Sequence, residues 1–294
     1  MDASDVIETL PVTRWTGPLE PELCARAVTA LETGRVVSLN LPFALTDDET
    51  PFLDAGVLDA SRKNISYDPR TGKCGGSGYE GAQLARLSAM LQRYATHAET
   101  LMRDLFPHYR PALERARTSF RPAEISGRRT SPRHDDRRLH VDAFPTRPTH
   151  GRRILRVFTN VAIDDTPRQW RVGEPFERFA SAFLPRLTTM FPGQAWAMAA
   201  IGLTKGRRSA YDHFMLGLHD TGKLDETYQS RAPQAAVQFM PGTTWMCFTD
   251  QVMHAAMAGH CAFEQTFHLP VEAMAQPETS PIRVLERLSG RALT

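Results

Sequence analysis

The chain has 294 residues, of which 41% are hydrophobic and 23% charged, an ordinary composition that is sufficient to bury one large core. The formal net charge is only +2, so no long-range attraction to nucleic acid is implied and we expect no nucleic-acid partner. Four scattered cysteines without a CxxC pair argue against structural zinc and a disulfide framework, and no apolar run is long enough to span a membrane.

The first third of the chain predicts a mixture of helix and strand. Residues 1–11 are acidic and lack the apolar core of a secretory signal, which predicts a cytoplasmic protein with reduced thiols. Residues 21–33 predict a short helix closed by a glycine, and residues 35–41 predict a strand. A polar, glycine-rich loop is predicted over 64–78. Residues 82–106 carry apolar side chains at helical spacing and predict the longest helix.

From about Ser119 onward, short β-rich runs alternate with Pro/Gly turns, a pattern typical of a β-sandwich or barrel. The predicted strands are 138–144, 154–163, 196–203, 236–239, 243–248 and 263–269. The other predicted segments are a helical insert over 176–191, a polar loop or helix over 215–232 and an amphipathic helix over 281–293 that packs on the core.

These elements predict one compact domain in three parts. Residues 1–115 form a mixed, helix-rich part that packs on the core. Residues 116–275 form the β-rich catalytic core, and residues 276–294 form a C-terminal helix and tail.

A histidine and an aspartate lie two residues apart in the predicted strand over 138–144. Because strand side chains alternate, His140 and Asp142 point to the same face. With a distant histidine they would form a two-His, one-carboxylate triad, which leaves part of an iron octahedron open. The spacing alone is weak, since ten His and 33 acidic residues in 294 positions predict 10 × 33/294, or about one, such pair by chance.

The chain contains three His-x-acid pairs, and their surroundings separate them. His97 lies in the long predicted helix, where positions two apart face different ways. His134 lies in a charged, proline-flanked segment typical of a solvated loop. Only the pair of His140 and Asp142 is flanked by apolar residues, although two polar residues on a sheet face remain an alternative.

The third ligand must come from a later strand, and the candidates are His254, His260 and His268. A Pro-Gly turn, a β-rich run and a polar turn lead directly into His254, and this order favours it. His268 ends the predicted strand over 263–269 and is more typical of a packed core histidine.

Five segments carry a resemblance to a known family: 119–122, 139–145, 151–160, 168–176 and the run that ends at His254. The 111 residues between Asp142 and His254 (254 − 142 − 1) are also typical of that family. The sequence resembles the Kdo 3-hydroxylases, bacterial enzymes that hydroxylate the Kdo sugar of lipopolysaccharide. The resemblance covers most of the chain.

The resemblance implies an α+β fold with a double-stranded β-helix (jelly-roll) core and flanking helices. It implies Fe(II) bound by His140, Asp142 and His254, with 2-oxoglutarate as cosubstrate and ascorbate as a reductant that supports activity. It also places His219 near the open face of the iron, where it would assist oxygen activation or hold substrate. From the residues alone, a loop histidine without a role is an equal alternative for His219.

The distal carboxylate of 2-oxoglutarate needs a buried cation, and arginine suits it because it binds bidentately. Many related oxygenases place this arginine about ten residues after the distal histidine, where this chain has Glu264 and Gln265. The resemblance instead implies cosubstrate contacts from Arg121, Arg156, Arg168 and Trp170. From the residues alone, Arg156 could face solvent, and the last two could be a surface arginine and a core tryptophan.

The predicted reaction is hydroxylation of C3 of Kdo on Kdo-lipid A, which gives Ko and releases succinate and CO2. Some of the basic residues around the metal strand are expected to bind the glycolipid and hold the enzyme peripherally at the cytoplasmic face of the inner membrane. They are Arg128, Arg129, Arg133, Arg137, Arg138, Arg147, Arg152 and Arg153. The alternatives are an oxygenase for another lipid or metabolite, a zinc hydrolase, for which no HExxH motif is present, and a non-catalytic cupin-like protein.

Overall fold

The computed structural model describes residues 1–127, 130–188, 191, 200, 202 and 204–293. The helices are α1 (Ala3–Val6), α2 (Pro21–Glu32), α3 (Gly81–Leu105), α4 (Phe176–Phe183), α5 (Ala210–Leu224), α6 (Glu226–Arg231) and α7 (Pro281–Ser289). The strands are β1 (Ile7–Leu10), β2 (Val36–Asn40), β3 (Ile65–Asp68), β4 (Lys73–Gly75), β5 (Glu114–Arg121), β6 (Arg153–Asn160), β7 (Arg168–Gly173), β8 (Gln234–Phe239), β9 (Thr243–Phe248), β10 (His254–Ala258) and β11 (Ala262–Leu269). Within these ranges, no helix combines the length and apolarity needed to cross a bilayer.

Two sheets organise the described part of the chain. The large sheet has the order β1-β2-β9-β6-β11-β5-β3-β4, and the small sheet has the order β10-β7-β8. All pairs are antiparallel except β1 with β2. The fold is therefore a mixed α/β fold built on a large, mainly antiparallel sheet.

Aromatic side chains fill the space between the two sheets. Trp245 of β9 stacks on Phe239 at 4.1 Å between ring centroids, and on Phe158 of β6 at 5.3 Å. Trp170 of β7 meets Trp245 edge to face at 5.6 Å. Such pairs add about 0.5–1.5 kcal/mol each beyond the burial of their area, so this layer fixes the small sheet against the large one.

Helix α3 covers the outer face of the large sheet. Its buried residues recur at helical spacing along one side, among them Leu87, Met90, Leu91 and Leu101, and this periodicity buries a single stripe. Tyr94 of the same stripe donates a hydrogen bond to the carbonyl of a β6 residue at 3.2 Å. The helix holds the sheet from behind and leaves its inner face for the candidate site.

Most of the predicted elements are confirmed, although the helices predicted over 281–293 and 176–191 end earlier, at Ser289 and Phe183, and the strand predicted over 154–163 ends at Asn160. The helices predicted over 21–33, 82–106 and 281–293 correspond to α2, α3 and α7, and the strands predicted over 35–41, 154–163, 236–239, 243–248 and 263–269 to β2, β6, β8, β9 and β11. The insert over 176–191 is helical as α4, and the segment over 215–232 is helical rather than a loop. The strand predicted over 196–203 lies largely outside the described residues.

Two predictions about local structure are wrong. The loop predicted over 64–78 contains the hairpin of β3 and β4, because Ile65 and Tyr67 turn inward while polar residues face out. The strand predicted over 138–144 is irregular and has a single bridge, between His140 and His254. Only this one point of contact is needed to place the histidine beside β10.

Candidate metal and cosubstrate site

Three predicted metal ligands converge at the edge of the small sheet. His140 and His254 exchange backbone hydrogen bonds of 3.0 and 2.9 Å, which places their rings 4.6 Å apart. The amide of Asp142 donates to the carbonyl of Thr249 at 2.7 Å. One nitrogen of each ring and one oxygen of Asp142 all lie within 4.8 Å of one another, a spacing that a single metal ion can bridge.

The two histidine rings are oriented by backbone carbonyls. Nδ1 of His140 lies 2.7 Å from the carbonyl of Arg138, and Nδ1 of His254 lies 2.8 Å from that of Val252. A carbonyl can only accept, so each Nδ1 carries the proton and each Nε2 keeps a lone pair. Burial lowers the pKa of both rings, that of His140 well below its usual value. Both rings are thus neutral and available as metal ligands.

Asp142 supplies the negative charge of the triad. Burial by itself would raise its pKa, but the adjacent guanidinium of Arg156 lowers the pKa well below the usual range. Its Oδ2 lies 2.9 Å from Nη2 of Arg156, yet has no aligned hydrogen-bond donor among the described residues. A buried carboxylate oxygen without a hydrogen-bond donor is available to bind a metal ion. Two imidazoles and one carboxylate are also the ligand set of Fe(II) oxygenases.

Two of the predicted cosubstrate arginines are joined by a carboxylate. Oε1 of Glu264 lies 2.8 Å from Nη1 of Arg156, and Oε2 lies 2.8 Å from Nη2 of Arg121. Arg156 therefore faces inward, and the alternative of a solvent-facing arginine is wrong. In the sequence, Glu264 only occupies the position where many related oxygenases have a cosubstrate-binding arginine. In the fold it aligns two earlier arginines.

The other two predicted cosubstrate residues line the same space from the small sheet. Arg168 is buried and donates from Nη1 to the carbonyl of Gly259 at 2.6 Å. The ring of Trp170 stacks on that of His254 at 5.2 Å, and its buried Nε1 has no acceptor among the described residues. Trp170 is both part of the core and a wall of the site.

A cavity of about 70 Å³ joins these groups. Its polar lining comprises Arg121, Asp136, His140, Asp142, Arg156, Arg168, His254 and Glu264. Asp136 is a contributor that sequence reasoning assigned to a solvated loop. Its Oδ2 lies 3.9 Å from Nη1 of Arg121, and no pattern in the sequence indicates this contact.

His219 lies close to the three candidate ligands. It projects from α5, and its ring centroid lies 5.5 Å from that of His140 in an edge-on arrangement. Its Nδ1 is 2.9 Å from Oδ1 of Asp220. The rejected candidates lie elsewhere: His260 is 3.3 Å from Asp164, and Nδ1 of His268 is 3.3 Å from the carbonyl of Arg153.

A buried lysine, missed in the sequence, lies one turn beyond His219 on α5. The side chain of Lys223 is almost fully buried, and its Nζ donates to the carbonyl of Arg133 at 3.3 Å. Burial lowers its pKa, while the negative charges of Asp136 and Asp142 raise it. Its charge acts on Asp136 and Asp142, which line the cavity.

The basic residues around the metal segment have divergent surroundings. Arg153 is fully buried against Asp250, so it is not one of the basic residues that could contact a glycolipid. Arg133, Arg137, Arg138 and Arg152 form ion pairs with Asp220, Asp135, Glu226 and Glu114, respectively. Arg147 lines a large neighbouring cleft. Arg128 and Arg129 lie outside the described residues.

Comparison with known proteins assigns the family. The model of the 3-deoxy-D-manno-oct-2-ulosonic acid (Kdo) hydroxylase family matches residues 14–292. The crystal structure of the Kdo hydroxylase KdoO with alpha-ketoglutarate and Fe(III) is similar, with a TM-score of 0.95 and 46% identity over 98% of this chain and 97% of that chain. Apo KdoO has a TM-score of 0.95 and 47% identity over the same shares. No curated protein sequence matches. The chain therefore belongs to the Kdo hydroxylase family.

Proposed function

We propose that this protein uses Fe(II), 2-oxoglutarate and O2 to hydroxylate C3 of Kdo on Kdo-lipid A, giving Ko, succinate and CO2. The observation that carries the proposal is the convergence of His140, Asp142 and His254 beside buried arginines, in a chain of the Kdo hydroxylase family. KdoO, at 46% identity, is a non-heme Fe(II) dioxygenase that binds alpha-ketoglutarate. The test is whether succinate formation is coupled to the hydroxylation of Kdo.

The strands support a double-stranded β-helix as the core. From β5 onward the chain passes from the large sheet to the His140 bridge of the small sheet, and then to β6 in the large sheet. Strands β7 and β8 lie in the small sheet, β9 in the large, β10 in the small and β11 in the large. This alternation between two facing sheets is the arrangement of a jelly roll.

His140, Asp142 and His254 would bind the iron. Bound iron would supply activation of O2 coupled to oxidative decarboxylation of 2-oxoglutarate, and ascorbate would keep it reduced. The chain holds both histidines as neutral Nδ1–H tautomers through the carbonyls of Arg138 and Val252. Their Nε2 atoms are therefore ready to bind without a rotation or a loss of protons.

Arg121, Arg156, Arg168 and Trp170 would hold the cosubstrate. Three guanidinium groups line this space, opposite the carboxylates of Asp136, Asp142 and Glu264. Bound Fe(II) would add positive charge to this balanced set, and the carboxylates of the cosubstrate would offset that charge while the arginines bind them bidentately. The unpartnered Nε1 of Trp170 offers one further hydrogen-bond donor. The stacked Trp170 ring also keeps water away from the face of His254.

Replacement of Arg168 by glutamine is expected to raise the KM for 2-oxoglutarate at least about tenfold, because a hydrogen bond to a charged group contributes about 1.5–3 kcal/mol. Initial rates of succinate formation at varied 2-oxoglutarate measure the effect. Arg171 lies on the alternate face of β7 and donates to the carbonyl of Arg137, so Arg171→Gln is the matched control. Equal KM values for Arg168→Gln and the wild type would refute the assignment.

His219 would act on the oxygen or substrate side of the metal. Its ring lies edge-on to His140 and is held by Asp220. We expect His219→Asn to lower the ratio of hydroxylated Kdo to succinate several-fold, because a misplaced substrate leaves cosubstrate turnover uncoupled. Both products are measured in one reaction. His213→Asn is the control, since His213 lies on the same helix and instead contacts the carbonyl of Thr188. An unchanged ratio of hydroxylated Kdo to succinate in His219→Asn would show that His219 does not have the proposed role.

Peripheral association with the cytoplasmic face of the inner membrane is the remaining part of the proposal. Basic residues near anionic lipid contribute about 1 kcal/mol each. Reversal of Arg128 and Arg129 to glutamate is expected to weaken turnover of lipid-linked substrate about tenfold at low salt, and less at high salt. The same variant assayed on a water-soluble Kdo glycoside is the control. Unchanged kinetics on lipid-linked substrate at low salt would contradict the proposal.

A further inference from the structure

A cleft of about 590 Å³ opens beside the metal cavity. Arg121, Arg156 and Glu264 line both spaces, so the cleft reaches the metal site across this ion-paired group. We propose that the cleft holds the glycan around the reacting sugar, and that Arg147 binds a second oxyanion on that glycan. The inference rests on the proposed function and adds a specificity determinant to it.

The loop over residues 144–150 forms one wall of the cleft. Oδ1 of Asp212 on α5 accepts hydrogen bonds from the amides of Thr149 and His150 at 2.7 and 3.2 Å. Nη2 of Arg208 donates to the carbonyl of Pro145 at 2.6 Å. The loop that carries Arg147 is therefore held in shape from two sides, and a preformed wall lowers the entropic cost of binding.

Arg147 differs from the other cleft arginines in its partners. Arg117 pairs with Asp68 and Arg152 with Glu114, while Arg121 and Arg156 share Glu264. Arg147 is exposed and forms no ion pair within 4.0 Å in the described ranges, although its charge contributes to lowering the pKa of Asp68. Among the cations that line the cleft, Arg147 is therefore the one best placed to bind an anionic group of a ligand.

The carboxylate of the reacting sugar is not the anionic group that we expect to pair with Arg147. In a 3-deoxy-2-ulosonic acid the carboxylate is carbon 1, so the reacting C3 lies only two bonds from it. That carboxylate therefore stays within a few ångströms of the atom that reacts at the metal site. Arg147 lines the cleft and not the metal cavity. A ligand group that reaches it belongs to another part of the glycan.

The volume of the cleft agrees with a substrate larger than one sugar. Pockets for drug-sized ligands measure about 300–1,000 Å³, and the cleft falls well inside that range. Two chemical sources supply the second oxyanion: the carboxylate of a further acidic sugar, or a phosphate ester on the neighbouring sugar. Arginine binds both in the same bidentate manner, so the experiment separates them by substrate.

Three soluble probes test the proposal: a methyl glycoside of Kdo, a Kdo–Kdo disaccharide methyl glycoside, and Kdo linked to a glucosamine phosphate. The wild-type enzyme is expected to show a kcat/KM about tenfold higher for at least one dianionic probe than for the first probe, mainly through KM. A preference for the disaccharide identifies a carboxylate, and a preference for the third probe identifies a phosphate.

Arg147→Gln is expected to reduce that preference about tenfold, Arg147→Lys to keep part of it, and Arg147→Glu to reverse it. Arg86→Gln is the matched control, because Arg86 is exposed on α3 and lines neither cavity; its preference should equal that of the wild type. A full preference in Arg147→Gln, or none in the wild type, would overturn the role of Arg147. Failure of the wild type to hydroxylate any probe or Kdo-lipid A would overturn the proposed function itself.

Discussion

Replacement of His140 by alanine is expected to abolish iron-dependent turnover and to weaken metal binding by more than about 100-fold, since loss of even an outer partner of a ligand typically costs 10–100-fold. The ring of His140 is buried, neutral and held by the carbonyl of Arg138. Removal of the side chain deletes one of the three metal ligands that the described residues bring together. Titration with cobalt(II), which KdoO also binds, measures affinity without oxidation.

His260→Ala is the control for this experiment. His260 was a candidate ligand in the sequence, and it is partly buried, but its ring lies beside Asp164 and Cys261, away from the triad. The His260→Ala variant should bind cobalt(II) and produce succinate as the wild type does. Full iron-dependent turnover by His140→Ala, or loss of metal by His260→Ala, would show that the ligand assignment is wrong.

Replacement of Asp250 by alanine is expected to lower the free energy of unfolding by about 3–5 kcal/mol, the typical cost of breaking a buried ion pair from one side. Arg153 is fully buried, and its Nε lies 2.8 Å from Oδ2 of Asp250. Its guanidinium also donates to Oε1 of Gln251 at 2.6 Å and lies 3.8 Å from the centroid of the Phe248 ring. Without Asp250, the arginine keeps a buried charge with no carboxylate to neutralise it.

Urea unfolding at neutral pH measures this loss, with Glu177→Ala as the control. Glu177 pairs with Arg287, and about half of each side chain is exposed, so its loss should cost less than about 1 kcal/mol. The double variant Arg153→Met/Asp250→Leu should lose less free energy of unfolding than Asp250→Ala alone, because it leaves no unpaired charge in the core. A change below about 1 kcal/mol in Asp250→Ala would contradict the account.

The geometry of the metal ligands was accessible from the sequence, although the local structure was not. The prediction that His140 and Asp142 share a face relied on a regular strand, whereas the segment makes only one bridge. The two-residue spacing still suffices, because the amides of both residues bond to the segment that ends at His254. The β-rich run before His254 indicated that segment correctly, and β10 begins at this residue.

The arginines were harder to orient for a physical reason. Strand β6 is buried on both faces, so alternation does not show which way Arg156 points. The role of Glu264 depends on register: in β11 it lies opposite Phe158 of β6 and Ser119 of β5, which brings it diagonally near Arg156 and Arg121. Register between strands distant in sequence is a tertiary property that no local pattern encodes.

Two of the strands that were not predicted, β7 and β10, have a composition that gives no strand signal. Strand β10 is rich in alanine, and β7 carries arginine and glutamine between its buried positions. Neither sequence shows the β-branched enrichment by which strands are recognised. Both are held instead by pairing with each other, from His254 opposite Val172 onward.

The most direct test of the central claim is the joint measurement of succinate and hydroxylated Kdo from Kdo-lipid A, with Fe(II) and 2-oxoglutarate supplied or withheld. We predict equal amounts of succinate and of a product one oxygen atom heavier at C3 of Kdo, with both absent when either iron or cosubstrate is omitted. Succinate without hydroxylated Kdo, or hydroxylation that continues without 2-oxoglutarate, would contradict the account.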